Sequence, residues 1–128
     1  WRGKPAMTGK DVTVILLQMQ HAARRALINS EGLSRSEFLH DETIREAIFM
    51  NLLQIGEMAS RLSRDHSDFM QANPTLPLDQ MRGMRNRIAH GYFFLGADAI
   101  WDTVTGPVPE LLAQLNAILN NGKTHGQG

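Results

Sequence analysis

The stretch DETIREAIFMNLLQIGEMASRLSR, residues 41–64, decides the fold class. Ile44, Ile48, Leu52, Ile55, Met58 or Ala59, and Leu62 recur at intervals of three and four, which places them on one stripe of an α-helix. Glu42, Arg45, Glu46 and Arg61 fall off that stripe. Twenty-odd residues at 1.5 Å rise make a rod of roughly 35 Å, a full bundle length. Such a stripe can be buried only against other elements of similar length.

The rest of the chain supplies them. Upstream, Val12, Ile15, Met19, Ala22 and Ala26 repeat in the same way behind Asp11, a plausible N-cap, and the pattern stops at Asn29-Ser30-Glu31-Gly32. A short piece, Ser36-Glu37-Phe38-Leu39, leads into the long segment. Downstream, a loop carrying Asn73-Pro74 and Leu76-Pro77 opens a helix with Pro77 in its first turn. That helix runs to about His90, with Gly91 as a left-handed cap. After Gly96, Asp98 reads as an N-cap before Trp101, Val104, Val108, Leu111, Leu115 and Ile118, a pattern ending at Asn120-Asn121-Gly122. Pro107 and Pro109 fall inside it and predict a kink or short break. Strand signals are nearly absent. The expected fold is all-α, a four-helix up-and-down bundle with a short extra helix. Residues 1–10 read as an added or disordered leader, 11–121 as the bundle, and 122–128 as a flexible tail.

Composition narrows the function. The 128 residues suffice for one core, and 42% hydrophobic with 20% charged residues is ordinary for a globular chain. Thirteen basic and thirteen acidic residues cancel, so an RNA or membrane partner would need a local patch. The absence of cysteine removes thiolate nucleophiles and cysteine metal sites and fits a reducing compartment. No apolar run approaches the ~20 residues of a membrane helix, and residues 1–7 lack a signal-peptide core. The expectation is a cytoplasmic protein with no membrane partner. Phosphate-loop, dinucleotide, zinc-protease and serine-hydrolase motifs are all missing. No two histidines pair at i, i+4, so no metal site and no cofactor is expected.

One stretch gathers charge: Met81-Arg82-Gly83-Met84-Arg85-Asn86-Arg87-Ile88-Ala89-His90-Gly91-Tyr92. Three arginines crowd six positions, with no acidic residue between Asp79 and Asp98. Guanidinium forks match phosphate oxygens bidentately. Arg85 falls in line with the apolar Leu78, Met81 and Ile88, and a charge in a buried stripe needs a partner or a wet cleft. A salt bridge to Glu57 or another carboxylate would be the purely structural outcome. Arg82 and Arg87 taken alone read as solvated surface, His90 as a C-terminal cap and Tyr92 as loop packing.

Taken together, Arg85-x-x-x-x-His90-x-Tyr92 resembles the R-x-x-x-x-H-x-Y signature of the HepT-like toxins of the HEPN superfamily. Phe38-Leu39 with Asp41, the pair Gly56-Glu57, the run Ile100-Trp101-Asp102-Thr103-Val104 and the Leu-rich helix from Pro109 to Leu119 follow in the matching order. The resemblance spans roughly residues 11 to 120. It implies a four-helix HEPN bundle that forms a homodimer. It also implies a ribonuclease that works without metal, the toxin of a type VII-like toxin–antitoxin pair. The implied partner is a minimal nucleotidyltransferase antitoxin of the MntA type, which attaches AMP to the motif tyrosine, here Tyr92.

The residues suit that chemistry. RNA is cleaved without metal when its 2′-hydroxyl attacks the adjacent phosphate, which requires a base and a cation beside the phosphorus oxygens. Histidine titrates near neutral pH, so His90 is the candidate base or acid. Arg85 is the candidate phosphate clamp, Asn86 the residue orienting one of them, and Arg82 and Arg87 further RNA contacts. Residues five apart on a helix point about 140° from each other. Arg85 and His90 therefore meet only if the helix breaks at His90 or if two copies share a site. The alternatives are a non-catalytic helical module that binds nucleotide or docks a nucleotidyltransferase, and a purely structural Arg–His pair.

Overall fold

The computed structural model describes the backbone of residues 9–90 and 93–127 and the side chains of 11–90 and 96–121. Every regular element among them is helical: α1 (Gly9–Ser30), α2 (Arg35–His40), α3 (Glu42–Asp65), α4 (Ser67–Ala72), α5 (Leu78–Ala89), α6 (Phe93–Thr105) and α7 (Pro107–Gln127). The long segment read at 41–64 is α3, and it occupies the centre. α1 packs along one side of it and α5 along another, while α7 lies against α1 and α6.

The stripes fill the core as their spacing dictates. Ile48, Leu52, Ile55, Ala59 and Leu62 of α3 are buried against Ile15, Leu16, Met19, Ala22, Ala23 and Ala26 of α1. The three alanines let the two backbones approach closely. Leu78, Met81, Met84 and Ile88 come from α5; Ile100 and Val104 from α6; Val108, Leu111 and Leu115 from α7. Each large side chain so buried contributes about 1.5–3 kcal/mol. Polar ties fix the register. Gln20 donates to Asn116 of α7 at 2.7 Å, and Asn29 donates to Asn51 of α3 at 2.9 Å.

The short α2 is held at both ends. Gly32, at φ +75°, turns the chain out of α1. Ser34 then caps α2, its hydroxyl accepting from the Glu37 N–H at 3.1 Å while the Glu37 carboxylate accepts from the Ser34 N–H at 2.9 Å. Hydrogen bonding of the carboxylate to the Ser34 main chain first, and to the Ser34 side chain second, holds the Glu37 carboxyl below its ordinary range. At the far end the Arg45 guanidinium donates to the carbonyls of Phe38 and Leu39. Phe38 is fully buried, its ring centroid 5.3 Å from that of Trp101 at 42°.

Several sequence expectations need correction. α1 starts at Gly9, so Asp11 lies in its first turn rather than at the cap, and Gly9 and Lys10 are helical rather than disordered. The two added residues, Gly9 and Lys10, continue no apolar stripe, so periodicity gives no sign of them. Residues 1–8 lie outside the described residues. The segment read as loop before Pro77 contains α4, whose Phe69 and Met70 pack half-buried on the core; six residues are too few for periodicity to reveal. Pro77 is the N-cap of α5 rather than a residue of its first turn. Asp98 lies within α6, where its carboxylate pairs with Arg35 of α2 instead of capping. The break near the prolines is present: α6 ends at Thr105, and Pro107 opens α7, where a missing N–H costs nothing. α7 continues to Gln127, past Asn120-Asn121-Gly122. Among the described residues, no helix is long and apolar enough to cross a membrane.

Candidate functional site at the contact of α3 and α5

The site begins with a missing side chain. Gly56 is buried on α3 where α5 crosses it. A Cβ there would collide with Cβ of Arg85 and come within 2.9 Å of Arg85 Cγ and of the Met81 carbonyl. Glycine at 56 therefore sets how closely α5 approaches, and Arg85 is the residue that lies over it.

Arg85 lies on the face that α5 turns to α3, in line with Met81 and Ile88 as its register implies, and Met84 widens the buried stripe of Leu78, Met81 and Ile88 on the other side. Its stem covers Gly56 while 36% of its side chain stays exposed, and its Nε donates to Oε1 of Glu57, itself 48% exposed. An ion pair this open to solvent adds about 0–1 kcal/mol. Its larger effect is orientation. Nη1 donates to Oδ1 of Asn86 at 3.2 Å. A guanidinium carries five N–H donors, so three remain after these two bonds.

α5 ends at Ala89, and His90 is its C-cap at φ −91°, ψ 11°. The helix thus stops at His90, and the imidazole turns back to the main chain of Asn86 rather than to Arg85. The imidazole is exposed, and its Nδ1 lies 2.6 Å from the main-chain oxygen of Asn86. A carbonyl only accepts, so Nδ1 carries the proton and Nε2 of the neutral ring presents its lone pair. Asn86 consequently touches both neighbours, Arg85 through its side chain and His90 through its main chain.

The remaining arginines are placed differently. Arg82 lies one turn before Arg85, with Nη1 3.4 Å from the exposed carboxylate of Asp79. Arg87 is exposed, about 160° around the helix from Arg85, and makes no ion pair among the described residues. The arginines that crowd together in sequence therefore do not converge. Glu57 and Asp79 offset part of the charge that the linear sequence suggests. Tyr92 and the cap assigned to Gly91 lie outside the described residues. Glu57 enters the sequence reading only as a structural partner for Arg85; its place directly after Gly56, the residue at the crossing point, was the available signal. Among the described residues, no group of three or more His, Asp or Glu side chains is placed to hold a metal ion.

An all-helical chain with an arginine and a capping histidine five residues apart at one helix end has the makings of a HEPN protein. It belongs to the ribonuclease HepT-like family, the family model matching residues 19–118. It is 27% identical to a Methanocaldococcus jannaschii protein named as a candidate RNase, over 90% of this chain and 93% of that one. A candidate RNase of Caldanaerobacter subterraneus is 30% identical over 73% of this chain and 80% of its own length. The "Probable ribonuclease HepT" of Thermococcus cleftensis is 31% identical over 59% of this chain and 66% of its own. No solved structure matches the chain.

Proposed function

We propose that this protein is a metal-independent endoribonuclease of the HEPN type. It would act as a homodimeric toxin neutralised when a nucleotidyltransferase antitoxin attaches AMP to Tyr92. The observation that carries the reading is that Asn86 holds Arg85 through its side chain and His90 through its main chain, so that guanidinium donors and an imidazole nitrogen are presented from one helix end.

In this mechanism Nε2 of His90 takes the proton of the RNA 2′-hydroxyl. The 2′-oxygen bonds to the adjacent phosphorus, and the bond to the 5′-oxygen breaks. That oxygen leaves with a proton from the imidazolium of the second copy, giving a cyclic phosphate and a 5′-hydroxyl end. Arg85, steadied by Glu57 and Asn86, holds the phosphorus oxygens as charge gathers on them. Arg82 reaches the neighbouring backbone; Arg87, on the other side of α5, contacts RNA only where the strand wraps the helix end. A four-helix bundle paired about a two-fold axis would bring the two helix ends to one cleft.

The test is cleavage of total RNA by the purified protein in EDTA, beside Arg85→Ala and His90→Ala. Each variant should stay folded and lose about 10²-fold or more in rate. Wild-type cleavage by either variant, or loss of wild-type activity in EDTA, would refute the mechanism.

A further inference from the structure

A groove of about 500 Å³ runs between α1 and α3, lined by Leu17, Gln18, His21, Gln54, Met58 and Arg61. Its volume lies within the ~300–1,000 Å³ of small-ligand sites. None of its lining residues is acidic. Arg61 has no carboxylate partner among the described residues, and its Nη1 lies 4.0 Å from the sulfur of Met58. The groove therefore offers one uncompensated guanidinium, one imidazole, two side-chain amides and an apolar floor of Leu17 and Met58.

That combination fits a nucleotide better than a peptide or a lipid. A fixed cation suits one phosphate. Two amides, each with donors and an acceptor, can pair with a base edge. An imidazole ring and an apolar floor suit the flat faces of a base. Position adds a second argument. Gln54 lies three residues before Glu57 and Arg61 four residues after it, both within about 60° of Glu57 around α3. Glu57 in turn holds Arg85. Arg61 is thus about 6 Å along the helix from the residue that anchors the phosphate clamp.

We infer that the α1–α3 groove is a subsite for the nucleotide next to the scissile phosphate, with Arg61 on its phosphate and Gln18 and Gln54 on its base edge. The subsite sets which sequences are cut. This inference rests on the ribonuclease reading above, and the experiment separates the two. Binding of the four nucleoside 5′-monophosphates is followed by NMR on the His21 and Met58 signals, for wild type, Arg61→Ala and Gln54→Leu with Gln18→Leu. The three altered side chains, Gln18, Gln54 and Arg61, are all exposed, so circular dichroism and melting should be unchanged. In parallel, cleavage ends of a random-sequence RNA pool are mapped by sequencing.

Arg61→Ala should weaken binding of every monophosphate about tenfold, the scale of one charge-assisted hydrogen bond. The double glutamine variant should keep cutting but flatten the preference at the adjacent nucleotide. If wild type cuts and neither variant alters binding or preference, the subsite is wrong and the nuclease reading survives. If wild type does not cut but binds monophosphates through Arg61, the nuclease reading fails and the binding site stands. If the variants change only the sedimentation coefficient, the groove is a contact between copies and the inference is overturned.

Discussion

At the scale of single residues, two glycines one helix apart make opposite predictions. Gly56 is the point where α3 and α5 touch, and an alanine methyl there has nowhere to go without moving α5. Overpacking of this kind costs about 1–3 kcal/mol. Because the displaced atoms are those of Arg85, Gly56→Ala should lower RNA cleavage beyond what its loss of stability explains. Gly83 lies inside α5, and a methyl added there meets nothing within 4 Å. Gly83→Ala should raise stability by about 0.5–1 kcal/mol through helix propensity alone. Urea unfolding of the two variants, with cleavage assayed on the folded proteins, checks both. A Gly56→Ala protein as stable and active as wild type would show that α5 does not depend on this contact. The same pair marks a limit of sequence reading. Gly56-Glu57 is visible as a dipeptide, but nothing in the chain order says that Arg85, 29 residues after Gly56, lies over it.

At the scale of elements, α2 has six residues and would not persist alone, since short helices are marginal in water. Phe38 anchors it and Ser34 starts it. Ser34→Ala removes the acceptor for the Glu37 N–H and should cost about 0.5–2 kcal/mol, read as a lower midpoint in chemical denaturation. The capping box also has a pH sign. The Glu37 carboxyl titrates below its ordinary range when folded, so its contribution is present above the unfolded value and is lost as pH falls through the folded one. A stability difference between wild type and Glu37→Gln should therefore shrink on acidification; a difference that grows would contradict the assignment. The long elements were legible because α1, α3 and α7 each repeat an apolar stripe over several turns. α4 was not, because two apolar neighbours, Phe69 and Met70, carry no period. Asp11 and Asp98 misled for a shared reason: an acidic residue near a helix start suits the first turn or a cross-helix ion pair as well as the cap. The candidate site was legible as a motif, while its wiring through Asn86 and Glu57 depended on tertiary approach. The register of Arg85 did put it on the face toward α3, but that its stem would cover Gly56 while its charged end reached Glu57 at the surface was not visible in the chain order.

At the scale of the whole molecule, the proposed activity needs a second copy and a means of restraint. Sedimentation at micromolar concentration should give the mass of two chains, and a monomer that still cuts RNA would remove the need for a shared cleft. Restraint is assigned to Tyr92, two residues past the His90 cap. Each AMP attached there adds a bulky base and about one negative charge close to the end of α5. Arg82 and Arg85 keep N–H donors beyond those used on Asp79, Glu57 and Asn86, and these would turn to the protein's own phosphate instead of RNA. Modification should thus inhibit by occupying the clamp, leaving the helical core intact. The expected outcome for Tyr92→Phe is an unchanged melting temperature, nuclease activity within a few-fold of wild type, and escape from a co-expressed nucleotidyltransferase. Intact-mass measurement after co-expression decides it. AMP mass on wild type and none on Tyr92→Phe supports this control, whereas AMP on the phenylalanine variant, or none on wild type beside an active partner, places the restraint elsewhere.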